Sequence, residues 1–370
     1  MKIVIVGAGV AGFEAALAAR ERAPEAEITL CGRENELPYR RPALSGMVAG
    51  EDSGVQFHIR PAGFYEEKKI TLKLGVEARQ LDTATHKLTL SDNSVLDFDR
   101  LVLATGGHAW VPPVPGADGD NVLTLREYAD LAAIRRRIEN GMKSAVVIGG
   151  GVLGLELAES LIACGVTVTV IESCPSLLPR NLDAGSSSFV QSRLASCTGL
   201  TLRFGEKLLA VTPTGVETAA GPVTADAVFF AAGMRANLEP AKSAGIRCCR
   251  GIAVDRHMAT SAQGVFAAGD CAEIDGICCG LYNTARDGGK AAGCNAAGGE
   301  AEFQFAAAPV RIAVFGVKIF AAGEPEGVRE EHTSDAANGN WRKLFYDANG
   351  RLTGCVLVGD LREAGRYCPK

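Results

Sequence analysis

Two glycine-rich segments about 140 residues apart constrain the fold of this chain more than any other feature. Residues 7–12 read Gly-Ala-Gly-Val-Ala-Gly and residues 149–154 read Gly-Gly-Gly-Val-Leu-Gly. Each segment follows a short apolar run, opens a stretch with helical spacing and precedes a second apolar run. A strand–turn–helix–strand unit of this kind is typical of a dinucleotide-binding βαβ motif. We therefore expect two such units in one chain.

The spacing of the glycines suits a dinucleotide. The first glycine permits a tight turn, the second lets the backbone approach a pyrophosphate, and the third lets helix and strand pack closely. The helix N-terminus offers free N–H groups and a positive dipole to the phosphates. Glycine turns also serve plain strand–helix packing, which remains the alternative. The expected contacts are Gly7, Gly9, Val10, Ala11 and Gly12 in the first unit and Gly149, Gly151, Val152, Leu153 and Gly154 in the second.

Apolar spacing predicts the local structure. The expected βαβ elements are strand 2–6, helix 10–22 and strand 27–31, then strand 145–148, helix 153–164 and strand 166–171. Short alternating runs at 70–100 predict a small antiparallel meander, and a helix is expected at 284–295. Residues 309–368 are strand-like, with a hairpin formed by 341–347 and 352–358.

Length, charge and cysteine content exclude several classes of protein. At 370 residues the chain is long enough for two or three domains. A formal net charge of −5 argues against nucleic acid as the main partner. No apolar run reaches the roughly 18 residues of a membrane-spanning helix, so a cytoplasmic protein is expected. The twelve cysteines show neither a disulfide framework nor a zinc-binding spacing, so no metal is expected.

An acidic residue at the end of the second strand of each unit indicates which dinucleotide the unit binds. Glu172 ends the second of these strands, where a carboxylate can bind both ribose hydroxyls and would repel a 2′-phosphate. This favours NADH over NADPH. In the first unit Arg33 stands where an acid is commonly placed, and Glu34 follows it. Glu34 either takes over this role or is merely an exposed residue.

Further motifs resemble those of the pyridine-nucleotide flavoprotein reductases related to glutathione reductase. Besides the two glycine segments, they are Ala104-Thr105-Gly106 and Ala268-Gly269-Asp270. The resemblance implies FAD on the first segment and NADH on the second. It also implies that Asp270 holds the ribityl chain of the flavin, and that the helix after Leu281 and Tyr282 points its N-terminus at the pyrimidine edge.

This resemblance implies an α/β fold class with two Rossmann-like dinucleotide-binding domains, the glutathione-reductase-like fold, plus a small C-terminal α+β domain. The FAD-binding domain would comprise 1–111 and 241–305, the NADH-binding domain 112–240, and the small domain 306–370. The other residues expected to contact a cofactor are Arg33, Glu34, Arg41, Pro42, Ala78, Ala104, Thr105, Gly106, Gly269, Asp270, Leu281, Tyr282, Glu172 and Gly233.

The absence of redox cysteines at the positions used by related reductases narrows the choice of subfamily. The chain has no cysteine between Cys31 and Cys164, so the C-x₄-C pair of disulfide reductases is absent. Asn35 stands where NADH oxidases, NADH peroxidases and coenzyme A-disulfide reductases carry a redox cysteine, which excludes thiolate chemistry by that route. Residues 37–45 instead look like the signature of rubredoxin and ferredoxin reductases and of the flavin part of NADH-nitrite reductase. Residues 316–324 and 342–360 are similar to the short C-terminal domain of those proteins.

The resemblance predicts an NADH-dependent flavoprotein reductase that passes electrons to a small acidic iron protein, rubredoxin or ferredoxin. Two alternatives are a FAD- and NADH-binding subunit that feeds electrons to a larger complex such as a nitrite reductase, and a redox sensor. A quinone reductase is disfavoured because no amphipathic or apolar C-terminal anchor is present. Whether the protein is a monomer or a dimer stays open.

Few side chains are expected to be catalytic. Arg41 would stabilise the reduced flavin, or is a surface cation. Glu156, two residues past the second glycine segment, would lie near the nicotinamide, or is an ordinary helix residue. An acidic partner would need a basic rim, whose candidates are Arg40, Arg41, Arg311, Lys318, Arg342 and Lys343. The cysteines that a disulfide or cluster near the flavin could involve are Cys271, Cys278, Cys279 and Cys294, and Cys248-Cys249 is a second adjacent pair.

Overall fold

The computed structural model describes residues 1–50, 56–278, 280–305 and 309–369. The chain forms two compact units. The first unit comprises the described residues of 1–43, 54–108 and 234–306, and the second comprises those of 44–53, 109–233 and 307–370.

Twenty-six strands and seven α-helices lie in the described residues. Up to residue 109 they are β1 (Lys2–Val6), α1 (Val10–Arg22), β2 (Glu27–Gly32), α2 (Leu44–Met47), α3 (Ala62–Glu67), β3 (Ile70–Leu74), β4 (Ala78–Asp82), β5 (Lys87–Leu90), β6 (Val95–Asp97), β7 (Arg100–Leu103) and β8 (Gly107–Ala109). Up to residue 236 they are β9 (Val122–Leu123), α4 (Tyr128–Glu139), β10 (Ser144–Ile148), α5 (Val152–Ala163), β11 (Thr167–Glu172), α6 (Ala184–Leu194), β12 (Leu200–Phe204), β13 (Leu208–Thr212), β14 (Gly215–Thr218), β15 (Gly221–Thr224), β16 (Ala227–Phe230) and β17 (Met234–Ala236). The remainder are β18 (Ile252–Val254), β19 (Val265–Ala267), β20 (Ala272–Ile274), β21 (Ile277–Cys278), α7 (Tyr282–Ala296), β22 (Val310–Val314), β23 (Val317–Gly323), β24 (Arg329–Asp335), β25 (Asn340–Tyr346) and β26 (Leu352–Val358).

The main sheet of the first unit has the order β19-β7-β1-β2-β3, and all four pairings are parallel. Its strands are continuous apolar runs because both faces of a parallel sheet are covered. Ile3, Ile5, Leu30 and Leu101 are fully buried. The strand order reverses at β1, between β2 and β7, and ligands of such sheets bind at the carboxyl ends of the strands beside this point.

The predicted antiparallel meander over residues 70–100 is partly wrong. Ile70–Leu74 joins the main sheet as β3, parallel to β2, with Ile70 opposite Ile28. Only β4, β5 and β6 form a three-stranded antiparallel sheet. The connection to a parallel strand needs a crossover, and the crossover here contains α3, a six-residue helix too short to show helical spacing in the sequence.

Helices α1 and α7 pack closely in the first unit. A side chain at Gly289 would collide with the carbonyl oxygen of Ala11, and one at Gly293 with that of Ala15. Glycine therefore lets the two helix backbones touch at two points one turn apart, which fixes the position of α7 relative to the first glycine turn.

The second unit repeats the parallel architecture with the order β12-β11-β10-β16-β9. The reversal point is now at β10, between β11 and β16. A three-stranded antiparallel sheet, β13-β14-β15, is the counterpart of β4-β5-β6. The predicted helices 10–22, 153–164 and 284–295 are confirmed to within two residues at either end.

The C-terminal segment forms an antiparallel sheet of order β22-β23-β26-β25-β24 within the second unit, and the predicted hairpin is confirmed as β25 and β26. Short 3₁₀ turns at Ala336–Asn338 and Ala364–Tyr367 flank these strands. One face of the sheet, with the buried side chains of Phe345 and Val356, shares a core with α5 and α6. No helix among the described residues is both long and apolar enough to cross a membrane.

Candidate functional site

In the first glycine turn, two glycines are required by close packing and one borders open space. Gly7 has a φ of +115°, and a Cβ there would collide with the carbonyl oxygen of Ala104. A Cβ at Gly12 would collide with the carbonyl oxygen of Gly7. At Gly9, in contrast, no atom of the described residues outside its chain neighbours lies within 4 Å of the Cβ position. The turn therefore fits a bulky group at its second glycine.

The N-terminus of α1 provides donors at this open position. Gly9 is the N-cap of the helix, and no side chain caps its free N–H groups. Val10 is half-buried and Ala11 is buried. Free N–H groups at a helix N-terminus, together with open space, are what a pyrophosphate requires. The first turn thus fits the dinucleotide that the sequence predicts.

Asp270 lies beside this turn. Gly269, with a φ of +77°, has its Cβ position 2.8 Å from the Cβ of Ala11, so a side chain there would push the 3₁₀ turn Gly269–Cys271 away from α1. The Cys271 thiol is fully buried and donates to the carbonyl oxygens of Leu103 (3.4 Å) and Ala268 (3.3 Å). Burial raises the pKa of this thiol, which keeps it protonated and structural.

Helix α7 begins near the same segments. Leu281 is its N-cap and is exposed, and no side chain caps the helix. Burial raises the pKa of the Tyr282 phenol, against the opposing effect of the Arg40 guanidinium. The start of α7 therefore has no side-chain cap, and its expected position at the flavin stays a prediction.

Asn237 holds the Ala104-Thr105-Gly106 segment. Its side-chain amide donates to the carbonyl oxygen of Thr105 (2.9 Å), while the Thr105 hydroxyl donates to the carbonyl oxygen of Asn237 (2.7 Å). Its backbone N–H donates to the carbonyl oxygen of Gly106, whose φ is +65°. No local sequence pattern indicates this residue, because 132 positions separate it from Thr105.

Glu34, Tyr39 and Arg41 form one cluster. The Arg41 guanidinium lies 2.8 Å from Glu34 Oε1, and the Tyr39 hydroxyl donates to Glu34 Oε2 across 2.7 Å. The carbon of the guanidinium also lies 5.1 Å from the centre of the Tyr39 ring. Glu34 and Arg41 are therefore both paired and partly buried, and their contact with a cofactor stays a prediction.

The remaining predicted contacts of the first unit differ in exposure. Arg33 and Pro42 are exposed, whereas Ala78 is half-buried at the start of β4. Asn35, which stands in the place of the redox cysteine, is exposed next to Gly75. Burial raises the pKa of the nearby Cys31 thiol to about 12, so that thiol supplies no thiolate near neutral pH.

The second glycine turn repeats the first. Gly149 has a φ of +118°, and its Cβ position is 2.6 Å from the carbonyl oxygen of Ala231. A Cβ at Gly154 would collide with the carbonyl oxygen of Gly149. Gly151 is the uncapped N-cap of α5, with no atom of the described residues near its Cβ position.

Three further predicted residues lie around this turn. Val152 is half-buried, Leu153 is exposed, and Gly233 is exposed with a φ of +101°. The structure thus leaves open space at Gly151 and at Gly233, because no described atom lies within 4 Å of a Cβ placed at either glycine. The second unit fits a dinucleotide in the same way as the first.

Glu172 is buried beside this turn, with 8% of its surface exposed. Its Oε2 accepts the N–H of Gly150 (2.8 Å), and its Oε1 accepts the N–H of Cys174 (2.8 Å) and the hydroxyl of Ser173 (3.2 Å). These bonds fix the orientation of the carboxylate. Oε2 accepts only one of these bonds and therefore keeps a lone pair with which it can accept a ribose hydroxyl.

Glu156 lies on α5 and has a partner that the sequence did not reveal. The hydroxyl of Ser45, on α2, donates to its Oε2 across 2.9 Å. Burial raises the pKa of the Glu156 carboxyl above its ordinary value, the Ser45 bond opposes this shift, and the Glu159 carboxylate adds to it. A buried carboxyl with a raised pKa can hold or release a proton nearer to neutral pH than an exposed one.

The prediction that Lys343 belongs to a basic docking rim is wrong. Its amino group lies 2.7 Å from Asp183 Oδ2 and 2.8 Å from Glu330 Oε2, and its side chain is only 13% exposed. A cation neutralised by two carboxylates does not attract an acidic partner. Arg311 and Lys318 are exposed, while Arg342 donates to the hydroxyl of Tyr367.

The cysteine pairs form no disulfide in the part of the chain that is described. Cys248, Cys249, Cys271, Cys278 and Cys294 are all free thiols, and Cys279 lies outside the described residues. Among the described side chains, no group of three or more His, Cys, Asp or Glu residues could hold a metal ion.

Comparison with known proteins gives one family. Residues 1–301 match the sequence model of the pyridine nucleotide-disulphide oxidoreductase family. The chain is 33% identical over 360 residues to a NADH-rubredoxin oxidoreductase of Clostridium acetobutylicum, which covers 97% of this chain and 91% of the relative. It is 31% identical over 381 residues to a nitrite reductase [NAD(P)H] of Bacillus subtilis, which covers 99% of this chain and 46% of the relative.

A solved structure agrees with the fold. The ferredoxin reductase for the CYP199A2 system from Rhodopseudomonas palustris superposes with a TM-score of 0.89 at 27% identity, covering 98% of this chain and 92% of that one. The prediction of two Rossmann-like dinucleotide-binding domains is therefore confirmed. The chain spans less than half the length of the Bacillus relative.

Proposed function

The chain belongs to the pyridine nucleotide-disulphide oxidoreductase family, and we propose that it oxidises NADH and passes the electrons through FAD to a small iron-containing electron-transfer protein. Its cofactors are FAD and NADH. The observation that carries the proposal is the pair of open glycine turns, at Gly9 and at Gly151, each at the reversal point of its own parallel sheet.

We assign FAD to the first unit. The uncapped N–H groups of α1 at Gly9 would hold its pyrophosphate, Asp270 its ribityl chain, and Glu34 its adenosine ribose. Arg41, whose guanidinium is paired to Glu34, would orient that carboxylate toward the ribose, and its expected role at the reduced flavin stays a prediction. When bound, FAD accepts two electrons at once and releases them singly, which is what an exchange between NADH and an iron centre needs.

We assign NADH to the second unit. The N–H groups at Gly151 would hold its pyrophosphate, and Glu172, oriented by Gly150 and Cys174, would accept its ribose hydroxyls. The buried Glu172 carboxylate disfavours a 2′-phosphate at the same place. Glu156, with its raised pKa, would donate or accept a hydrogen bond at the nicotinamide amide.

The proposed acceptor is rubredoxin or ferredoxin. The Clostridium relative is named a NADH-rubredoxin oxidoreductase, and the solved structure is named a ferredoxin reductase. Asn35 provides no thiol for disulfide or peroxide chemistry, and Cys31 is a buried thiol. We also propose a cytoplasmic location, which agrees with the free thiols of the described cysteines.

A second candidate function is electron input to a larger complex. The Bacillus relative is a nitrite reductase in which the matching region is under half of the chain. In that arrangement this protein would deliver electrons to a partner polypeptide. Stable co-purification with a second redox protein at stoichiometric ratio would favour this candidate over free exchange with a small acceptor.

The proposal is tested by NADH oxidation with the purified flavoprotein and a panel of acceptors: rubredoxin, ferredoxin, oxygen, a disulfide and a quinone. We expect turnover with an iron protein to exceed that with all the others, and NADH to be preferred over NADPH. Dominant turnover of the disulfide or of oxygen would contradict the acceptor assignment, and preference for NADPH would contradict the role of Glu172.

A further inference from the structure

We propose that Lys343 and Trp341, on the C-terminal sheet, are positioning residues for the dinucleotide site of the second unit: they anchor helix α6, which supports Glu172. This inference rests on the proposed binding of NADH at Gly151. All residues concerned lie within the second unit. It gives the C-terminal sheet a role in nucleotide affinity.

The anchor begins with an ion pair. Lys343 Nζ lies 2.7 Å from Asp183 Oδ2, and only 13% and 12% of the two side chains are exposed. Asp183 is also the N-cap of α6, because its carboxylate accepts the N–H groups of Gly185 and Ser186. Lys343 thus holds the residue that starts the helix. Limited access of water makes this pair stronger than an exposed one.

Trp341 provides a second contact on the same helix. It is two residues before Lys343 on β25 and therefore faces the same side of the sheet. Its indole N–H donates to the hydroxyl of Ser186 across 2.9 Å, and its ring stacks on Phe189 with centres 5.2 Å apart. Two neighbouring side chains of one strand thereby hold the first turns of α6.

Helix α6 in turn holds the loop that follows Glu172. The buried hydroxyl of Ser187 donates to the carbonyl oxygen of Leu177 (2.9 Å) and accepts the N–H of Leu177 (2.8 Å). Leu178, the next residue, has a φ of +52°, a conformation that a leucine adopts only where its surroundings enforce it. The loop is therefore held in a strained form by α6.

The loop reaches the glycine turn itself. The N–H of Leu178 donates to the carbonyl oxygen of Gly150 across 3.1 Å. The N–H of Gly150 donates to Oε2 of Glu172 across 2.8 Å. A continuous series of contacts thus runs from Lys343 through α6 to the carboxylate assigned to the ribose. Release of α6 would widen the range of positions open to Glu172 and weaken nucleotide binding.

The test compares Lys343→Met with wild type in the FAD-loaded protein. NAD⁺ binding is measured by isothermal titration calorimetry, and KM and kcat for NADH with ferricyanide as acceptor. We expect Kd and KM to rise roughly fivefold while kcat stays within about twofold, because the loss of one partly buried ion pair affects binding more than electron transfer. Lys343→Arg should recover most of the affinity, since it restores the cation.

Two more variants control the comparison. Arg362→Met removes an exposed ion pair with Asp360 on the same C-terminal segment and should leave Kd unchanged. Trp341→Phe keeps a ring against Phe189 but loses the bond to Ser186, and it should raise Kd by about twofold even if Lys343→Met fails to fold.

The outcomes separate the two hypotheses. Wild-type affinity in both Lys343→Met and Trp341→Phe overturns the positioning role, and so does a fall in kcat with unchanged KM. A wild-type protein that fails to bind NAD⁺ overturns the proposed function, and the inference with it.

Discussion

The hydroxyl of Ser45 donates a hydrogen bond of 2.9 Å to Oε2 of Glu156, and so joins α2 to α5 in the second unit. Ser45 is buried, and burial of the Glu156 carboxyl raises its pKa. The bond acts in the opposite direction because a donor stabilises the ionised carboxylate. The pKa of Glu156 therefore depends on a residue 111 positions away.

Replacement of Ser45 by alanine is expected to raise the pKa of Glu156 further, because the carboxylate loses a hydrogen bond that stabilises its charged form. The carboxyl titration is measured by carbon-13 NMR with labelled glutamate, using Glu156→Gln to assign the signal. Ser192→Ala, which removes an exposed hydroxyl on α6, serves as the control. An unchanged or lower midpoint in Ser45→Ala would contradict the expected effect.

The same raised pKa predicts how stability depends on pH. A carboxyl whose folded pKa is raised stabilises the fold fully below its unfolded pKa of 4.5, and this contribution is lost as the pH rises through the folded value. The free energy of unfolding of Glu156→Gln, relative to wild type, should therefore increase from pH 4 to pH 8. Urea titrations at several pH values measure it, and a difference that stays constant across this range would count against the shift.

Two glycines of the second turn are expected to respond differently to alanine. Gly154→Ala places a methyl group against the carbonyl oxygen of Gly149 and should cost about 1–3 kcal/mol of stability. Gly151→Ala meets no described atom and, with a φ of −81°, should leave the melting temperature near that of wild type. It should instead weaken NAD⁺ binding about tenfold, because the methyl group occupies the space assigned to the pyrophosphate. Equal NAD⁺ affinities of wild type and Gly151→Ala would contradict the binding of the dinucleotide at this turn.

The roles of these glycines could be predicted from the sequence, whereas contacts between distant segments could not. The roles of Gly7, Gly12, Gly149 and Gly154 follow from contacts within five residues or with an adjacent strand, so a local pattern reveals them. The pattern of the βαβ units also predicts both parallel sheets. The bond between Ser45 and Glu156 joins segments far apart in the chain, where no local pattern is available.

Other findings escaped sequence analysis for the same reason. Asn237 meets Thr105, and Lys343 meets Asp183, only because distant elements pack together. A lysine two residues from a tryptophan in an alternating strand has the same sequence signature whether it faces solvent or a buried carboxylate. Strand β3 differs from the predicted meander because its parallel pairing depends on a crossover in which the described α-helices, α2 and α3, are too short to show helical spacing.

The contact between α1 and α7 predicts opposite effects at two glycines of one helix. Gly293→Ala would force its methyl group into the backbone of Ala15, which should lower stability by about 1–3 kcal/mol and speed the loss of FAD on dilution. Gly288→Ala has ordinary contact distances of 3.5 Å to Met258 and 3.9 Å to Phe303. It should stabilise the protein by up to about 1 kcal/mol, because alanine is the better helix former. Thermal unfolding followed by flavin fluorescence measures both quantities. The close packing would be refuted by wild-type stability in Gly293→Ala.

Two buried tyrosines of the first unit provide the last comparison. The Tyr39 hydroxyl donates to Glu34 Oε2, whereas the Tyr65 hydroxyl is a buried polar group with no hydrogen-bond partner among the described atoms. Tyr39→Phe keeps the ring stacked on Phe57, at 4.7 Å between centres, but removes a charge-assisted bond from the carboxylate assigned to the FAD ribose. We expect FAD to bind about fivefold more weakly.

Tyr65→Phe removes a hydroxyl that makes no described bond, and it should leave FAD affinity unchanged and raise the free energy of unfolding by about 1 kcal/mol, because an unsatisfied buried group no longer has to be desolvated. Both variants lose one oxygen atom from a buried ring, so a general effect of the substitution would appear in each. FAD affinity is measured by fluorescence titration of the apoprotein, and stability by urea unfolding. If Tyr39→Phe retained wild-type FAD affinity, Glu34 would not depend on Tyr39 for its role; if Tyr65→Phe were destabilised, its hydroxyl must have a partner such as a buried water molecule.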